Sequence, residues 1–344
     1  MRPPTVTVAF SGGKDSTAAA LLLREQGRDV RALTMRLGLP DEDEKLSRIE
    51  HLSRALGVPW RLMDLRAAFR EKVLGYFIDA YRRGLTPNPC VLCNRQIKFG
   101  LLVEELKKTL PAGLLATGHY ADKVCIGERW FLREPADRKK SQIYFLAMVD
   151  PAVLAGVEFP IAGLTIAQVR AKVAGLPLAN IDESQDACFL AGEGLPAFLR
   201  RHISGAFRGG DFLDAAGEKI GRHQGALHFT VGQRRGTGYA SGRRLYVVAR
   251  DMAANTVTLG TEEDLLSSSL TVSGPVYWRP LESGENVMVK IRYQKAGHEA
   301  EIVEASASRI RAVFAKPVRA VTPGQFGVFY DGDIIVAAGE ITAP

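Results

Sequence analysis

The sequence predicts an α/β protein: a doubly wound parallel sheet, followed by a small middle domain and a C-terminal β-barrel. Across the first half, short apolar strand-like runs alternate with helix-like segments, the pattern of a parallel sheet with crossover helices. After about Ala191 the helical periodicity fades, and Gly-rich turns separate short β-like segments. The chain has 344 residues, more than one hydrophobic core usually holds, so two or three domains are expected.

Taken in order, Thr5 to Phe10 reads as a buried strand and Thr17 to Gln26 as an Ala/Leu-rich helix closed by Gly27 in a left-handed cap. Val30 to Met35 is the next strand. Helix-like segments at Glu42 to Leu56 and Leu65 to Arg83 flank a short strand, Trp60 to Asp64, and Gln96 to Lys108 leads into Leu114 to Thr117. Lys123 to Ile126 is a further apolar strand, in which Cys125 reads as a small buried residue. Leu227 to Val231, Arg244 to Arg250 and Thr256 to Leu259 read as antiparallel strands of the middle domain. Val287 to Tyr293, Glu299 to Val303, Arg309 to Phe314 and Gly327 to Tyr330 are strands expected of the barrel. The domains are placed at residues 1–192, 193–264 and 265–344.

An apolar share of 46% with 24% charged residues is ordinary for a folded protein and argues against extensive disorder. The formal net charge of +7 favours a polyanionic partner without choosing between nucleic acids and an anionic membrane. No apolar run approaches the roughly 18 residues that cross a bilayer, so a cytoplasmic placement with no membrane partner is expected. The four cysteines, Cys90, Cys93, Cys125 and Cys188, are too few and too scattered for a disulfide scaffold.

Ser11-Gly12-Gly13-Lys14-Asp15-Ser16 lies between the first strand and the first helix, where doubly wound sheets bind ligands. Two glycines let the backbone approach a phosphate, and the amides and macrodipole of a helix starting near Ser16 favour negative charge. The alternative is a plain Gly-rich turn with Ser16 as a helix cap. Neither the G-x-x-x-x-G-K-S/T nor the G-x-G-x-x-G spacing is present.

The hexapeptide S-G-G-x-D-S in this setting resembles the PP-loop of ATP pyrophosphatases, which have the adenine nucleotide alpha hydrolase-like fold, adenylate a substrate and release pyrophosphate. Five further segments narrow the likeness: Thr86-Pro-Asn-Pro-Cys-Val-Leu-Cys-Asn-Arg-Gln-Ile-Lys-Phe99, Thr117-Gly-His-Tyr120, Lys140-Ser-Gln-Ile-Tyr-Phe-Leu146, Ser184-Gln-Asp-Ala-Cys-Phe-Leu190 and His228-Phe-Thr-Val-Gly-Gln-Arg-Arg-Gly236. Together they resemble the tRNA-specific 2-thiouridylases over most of the chain, and Arg292-Tyr293 extends the match into the last domain.

The resemblance implies that ATP adenylates the C2 oxygen of the wobble uridine of tRNA, and that a cysteine persulfide then delivers sulfur with loss of AMP. A carbonyl oxygen leaves poorly until it is esterified to phosphate, whereas a thiolate or persulfide is a good nucleophile when nearby positive charge lowers its pKa. Residue by residue, it implies ATP along Ala9, Phe10, Ser11, Gly12, Gly13, Lys14, Asp15 and Ser16, with Asp15 helping to hold magnesium. Met35 would touch adenine, and Gly118 would contact ATP. Cys188 would bear the persulfide, and Cys93 would attack it or resolve it as a transient disulfide. Asn88, Pro89 and Cys90 would surround the flipped base, while Lys140, Ser141, Gln142, Arg292 and Tyr293 would contact the anticodon arm. The resemblance also implies a partner that supplies sulfur, either a donor protein or inorganic sulfide.

The family more commonly has Asp where this chain has Cys90, a carboxylate suited to general acid/base work. Four readings of Cys90-Val-Leu-Cys93 stay open: a tolerated small residue beside an unchanged persulfide route, a redox pair, a zinc site short of ligands, or an iron-sulfur cluster held by Cys90, Cys93 and Cys188 with one iron open to sulfide.

Basic residues punctuate the chain at Arg133, Arg138, Lys139 and Lys140, at Arg200-Arg201-His202, and at Arg243-Arg244. Each pair alone reads as a solvated face. Arg234 and Arg235, flanked by Gly232 and Gly236, instead suggest a loop that approaches a phosphate backbone. His119, His223 and His228 lack metal-ligand spacing and read as structural. The alternatives to a tRNA sulfurtransferase are a PP-loop synthetase or ligase acting on a small molecule, and an RNA-binding protein with a degenerate ATP site.

Overall fold

Strand β1 (Val6–Ala9) is apolar or small on both faces because it runs through the centre of a sheet covered on both sides, and Val6 and Val8 are fully buried. It belongs to a computed structural model that describes residues 5–110, 113–178, 187–190, 192–204, 207–240, 242–293 and 296–342. Helix α1 (Lys14–Glu25), β2 (Val30–Arg36), α2 (Glu42–Ala55), β3 (Trp60–Asp64) and β4 (Leu114–Thr117) follow. A hairpin, β5 (Asp122–Ile126) and β6 (Arg129–Arg133), then precedes β7 (Val157–Glu158). The sheet order is β3-β2-β1-β4-β7, with every pairing parallel. The doubly wound sheet read from the sequence is therefore present, and the switch of direction beside β1 opens a crevice at the carboxyl ends of β1 and β4.

Helix α1 buries Ala18, Ala19, Ala20 and Leu23 against Val6, Val8 and Val30, small side chains that let it lie close to the sheet. It ends as expected, with Gly27 at φ +73° and its amide donating to Arg24 O at 2.9 Å. It begins earlier than expected. Gly13 occupies the N-cap position, so Ser16 lies inside the first turn and is not the cap.

Two helical stretches carry wider turns than the sequence pattern shows. Arg66–Phe69 and Tyr76–Arg82 enclose a π segment, Arg70–Gly75. The short helix Pro89–Cys93 runs into a second, Asn94–Leu101, before Leu102–Thr109. Such segments inside α-helices concentrate at functional sites.

The middle region contributes β8 (Gly210–Leu213), β9 (Lys219–His223), β10 (Tyr246–Asp251) and β11 (Thr256–Gly260) in the order β10-β11-β8-β9. The expectation of a purely antiparallel arrangement is corrected, because β11 and β8 pair in parallel. Leu227 to Val231 is not a strand: Ala226–His228 forms a 3-10 turn and the chain continues irregularly. Leu227 and Phe229 are buried in two different cores, which produces a strand-like alternation without a ladder partner.

The last six strands close a barrel. They are β12 (Leu266–Tyr277), β13 (Asn286–Lys290), β14 (His298–Ala305), β15 (Arg309–Arg319), β16 (Phe326–Asp331) and β17 (Ile334–Ile341), running β12-β15-β14-β13-β16-β17 and back to β12. The β5–β6 hairpin joins β17 through the pair Ile334 and Arg133. The Trp278 indole N–H donates to Ala147 O at 3.1 Å and the Tyr144 hydroxyl to Phe326 O at 2.9 Å, so barrel and first domain share one core. Cys125 corrects another expectation. It is exposed on edge strand β5, with its sulfur 3.4 Å from Gly127 O, because only one face of that hairpin is covered.

Candidate active site and nucleic-acid interface

The Ser11–Ser16 loop is held open by its own hydroxyls. The Ser11 amide donates to Ser16 Oγ at 3.2 Å, Ser16 Oγ donates to Gly13 O at 3.1 Å, and the Gly13 amide reaches Ser11 Oγ at 3.4 Å. Gly12 sits at φ +72°, a conformation that a side chain would strain. No side chain caps the first turn of α1, so its amides face the crevice above β1 as donors for an anion.

Gly118, at the end of β4, lies against this turn. A Cβ placed on it would stand 2.5 Å from both Asp15 C and Ser16 N. Two residues on, the Tyr120 hydroxyl donates to Asp15 Oδ1 at 3.1 Å, while Lys14 Nζ approaches Asp15 Oδ2 at 3.0 Å. Gln142 clasps Tyr120 from behind: its amide donates to Tyr120 O at 2.8 Å and its Oε1 accepts from Tyr120 N at 2.9 Å. The side-chain oxygen of Gln142, implied by resemblance to contact tRNA, is thus engaged in holding the residue that bonds Asp15 of the Ser11–Ser16 loop. Phe10 is a core residue, 2% exposed, and its carbonyl accepts from Thr34 Oγ1 at 2.7 Å, so it brings backbone rather than side chain to the crevice. Ala9 and Met35 are partly buried at the ends of β1 and β2, packed against the core that contains Leu33 and Leu115.

The thiols lie on separate elements. Asn88 precedes Pro89, the first residue of the cysteine helix, and Cys90 and Cys93 follow one turn apart. Cys188 opens the 3-10 turn Cys188–Leu190, which is anchored by the Phe189 ring against Phe77 and Phe198 at 5.0 and 5.1 Å. Ser184, Gln185 and Asp186 of the same segment lie outside the described residues. Cys90 and Cys188 are open to solvent and Cys93 partly so, yet protein crowds all three, as on the wall of a cleft.

Lys98 carries no signal in the sequence that marks it as part of the site. It stands five residues after Cys93, about 140° around an ordinary α-helix, but the i→i+5 turn of the π segment swings it back toward Cys93. Half-buried, it makes no hydrogen bond or ion pair among the described residues. Its charge acts on Cys90, Cys93 and Cys188, and also on His119.

The electrostatics correct one expectation. Burial pushes all three thiols up, Cys188 to about 12, and the opposing pull of Lys98 is smaller. The free chain therefore holds protonated thiols, not preformed thiolates. Alkylation of Cys188 is expected to accelerate about tenfold per pH unit between about pH 7 and about pH 9 without levelling, and that of Cys93 to rise across the same range, because the thiolate fraction is still climbing there. Lys98→Met should slow it throughout, with rates read peptide by peptide by mass spectrometry. Burial and Lys98 hold His119 well below the usual imidazole range. Its Nδ1 lies 2.9 Å from Thr117 Oγ1, which agrees with a structural role.

On the outer surface, Arg234 and Arg235 are exposed, and neither makes a side-chain hydrogen bond or ion pair among the described residues. Their loop is shaped by Gln233, whose Oε1 accepts from Thr230 N and whose Nε2 donates to Arg235 O, each at 3.0 Å. Ser141 and Tyr293 line a second cleft together with Arg138, Lys139 and Lys290, and Lys140 lies beside them in sequence. The Tyr293 ring packs at a tilt against Phe145, with centroids 4.3 Å apart. Arg292 faces inward, donating to Ala320 O and, at 3.0 Å, to Thr322 Oγ1. It secures a barrel corner against which Gly232 packs.

The chain matches three family models: a "tRNA methyl transferase HUP domain" over residues 4–192, a "tRNA methyl transferase PRC-barrel domain" over 196–261 and an "Aminomethyltransferase beta-barrel domain" over 267–341. It is 39% identical to the tRNA-specific 2-thiouridylase MnmA of Pelotomaculum thermopropionicum, with 99% of this chain and 98% of the relative aligned. For the MnmA of Aquifex aeolicus the identity is 38%, over 98% of each. Among solved structures, the U34-tRNA thiolase NcsA from Methanococcus maripaludis with its [4Fe-4S] cluster aligns at a TM-score of 0.35 and 13% identity, over 60% of this chain and 69% of that one, a likeness too slight to bear on the site. The full-length identity places this chain in the tRNA-specific 2-thiouridylase family.

Proposed function

We propose that the chain is an ATP-dependent tRNA-uridine 2-sulfurtransferase. The observation that supports this most directly is the nearness of a phosphate-binding turn to a thiol cleft. Gly118 touches the turn, and the ring of the next residue, His119, lies 5.8 Å from that of Phe99, on the helical stretch that continues from Cys93.

The uridine C2 oxygen attacks the α-phosphorus of ATP and pyrophosphate leaves, the N3 proton being lost. The α1 amides and Lys14 neutralise the phosphates. Asp15 fits a magnesium ion: each carboxylate oxygen is bonded once and keeps a lone pair, and such ions take one or two carboxylates beside phosphate oxygens, lowering the charge at phosphorus. The terminal sulfur of a Cys188 persulfide then bonds to C2 and AMP departs. Attack by the Cys93 thiolate on Cys188 Sγ frees the 2-thiouridine and leaves a Cys93–Cys188 disulfide, which an external dithiol reduces. The persulfide itself comes from a donor of sulfane sulfur. Cys90 lines the cleft as a neutral thiol where relatives more commonly have a carboxylate.

The persulfide route needs only Cys93 and Cys188 and calls on no iron-sulfur cluster. Among the described residues no three Cys, His, Asp or Glu side chains form a group that could hold a single metal ion, which speaks against the zinc reading of Cys90 and Cys93. Among those residues, too, no helix is long and apolar enough to cross a membrane.

Incubation with tRNA, ATP and a persulfide donor should yield 2-thiouridine with stoichiometric AMP, read by nucleoside mass spectrometry. AMP formation on a small-molecule acceptor with none on tRNA would overturn the proposal. Arg234→Ala and Arg235→Ala should each weaken tRNA binding and lower the slope of log affinity against log salt by about one, as expected for a lost phosphate contact.

A further inference from the structure

Arg250, near the end of β10, has no carboxylate partner among the described residues, yet its guanidinium is drawn inward and its Nε is buried without a hydrogen bond. A cation compensated only by neutral dipoles is costly to keep, so the identity of those dipoles matters. Nη1 donates to Phe229 O at 2.5 Å. Nη2 donates to Gly84 O at 2.7 Å and reaches Leu85 O at 3.3 Å and Thr86 Oγ1 at 3.2 Å. One rigid fork joins two segments remote in sequence.

Both segments are roots. Phe229 begins the loop that carries Arg234 and Arg235, and that loop is fastened to the same strand by Gly232 N to Val247 O at 2.8 Å and Val247 N to Gln233 O at 2.9 Å. Gly84–Thr86 leads into the cysteine helix. The barrel grips this second root as well: Thr86 N donates to Pro323 O at 2.9 Å and Gln325 Nε2 to Thr86 O at 2.7 Å. Gly84 lies so close under Met252 that an added Cβ would stand 2.9 Å from its Cγ.

We infer that Arg250 is a positioning residue that couples RNA engagement at the Arg234–Arg235 loop to the placement of the Cys90–Cys93 helix, an inference that rests on the tRNA sulfurtransferase reading. Phosphates seated on the loop act on its root at Phe229, and the guanidinium transmits that shift to Gly84–Thr86 because its donors are fixed in one plane. The thiols are then set for reaction when substrate is present. Linkage requires the reverse effect too, so that a change at the cysteine helix alters RNA affinity.

The test measures the alkylation rate of Cys93 with and without tRNA, alongside tRNA affinity and thiolation, in the full chain. In the wild type, tRNA should change the Cys93 rate about fivefold or more, the lower end of a typical coupling. In Arg250→Met, the change should fall below about twofold while tRNA affinity stays within the modest range set by the coupling itself. A folded Arg250→Met that keeps the wild-type response overturns the inference, as does a loss of affinity that accounts for the whole loss of thiolation. Should Arg250→Met fail to fold by thermal melt, Gln325→Leu serves: a diminished response supports the joint at Thr86 and an unchanged one overturns it. A wild type that thiolates tRNA with no response at Cys93 sinks the coupling but leaves the enzyme assignment intact. Absence of thiolation altogether sinks the assignment itself.

Discussion

Cys188→Ala is expected to abolish sulfur transfer to tRNA while leaving tRNA-dependent adenylation in place. Removal of a reacting nucleophile has no partial substitute, so 2-thiouridine formation should drop by about a thousandfold or more. Pyrophosphate release should persist, because the turn proposed to bind ATP is built from Ser11–Ser16, Gly118 and Tyr120, and none of these contacts involves a thiol. Cys93→Ala should lose multiple turnover to a similar degree and should trap RNA as a mixed disulfide on Cys188, visible as a reducible shift on a denaturing gel. Cys90→Ser should retain activity within about threefold, since a neutral donor replaces a neutral donor. Loss of activity at all three positions, accompanied by iron and sulfide in anaerobically prepared protein, would instead favour a cluster and overturn the persulfide route.

What the sequence disclosed was local chemistry in local structure. The Ser11–Ser16 turn was legible because a strand, two glycines and a helix start are contiguous, although the helix begins at Lys14 and thereby removes Ser16 from the cap. The alternation of strands and helices gave the parallel sheet, since apolar periodicity is a property of each segment alone. Lys98 was hidden because its place beside the thiols depends on a π turn, and a π turn leaves no periodic signature in so short a run. Arg250 looked like the end of a strand, yet its partners at Phe229 and Gly84–Thr86 lie 21 and about 165 residues away. Gln142 and Arg292 each hold backbone remote in sequence, Tyr120 in one case and Ala320 in the other, contacts that no local spacing reveals. Crowding of the solvent-open thiols by protein also escaped the sequence, because it depends on distant elements, and it raises their pKa values where a lowering was expected.

Gly118→Ala should cost as much at the adenylation step as Cys188→Ala costs at sulfur transfer, and for a purely steric reason. The added methyl would lie 2.5 Å from Asp15 C and Ser16 N and 2.8 Å from Asp15 O, all backbone atoms, so no side chain can rotate away to receive it. Either β4 withdraws or the first turn of α1 shifts. Withdrawal of β4 breaks its parallel register with β1, where Ala9 pairs with Thr117. A shift of α1 moves the amides that face the nucleotide and pulls Asp15 from the Tyr120 hydroxyl. Overpacking of this kind destabilises by about 1–3 kcal/mol, which a thermal melt would register as a modest drop. The effect on ATP use should be far larger, about a hundredfold in pyrophosphate release, because a misplacement on the order of 1 Å at a reacting group costs that much. Alkylation of Cys93 in the absence of tRNA should hardly change, since the cysteine helix is rooted at Gly84–Thr86 and not at β4. A Gly118→Ala protein with wild-type pyrophosphate release would show that the turn tolerates displacement, and the tight backbone contact would then have no bearing on catalysis.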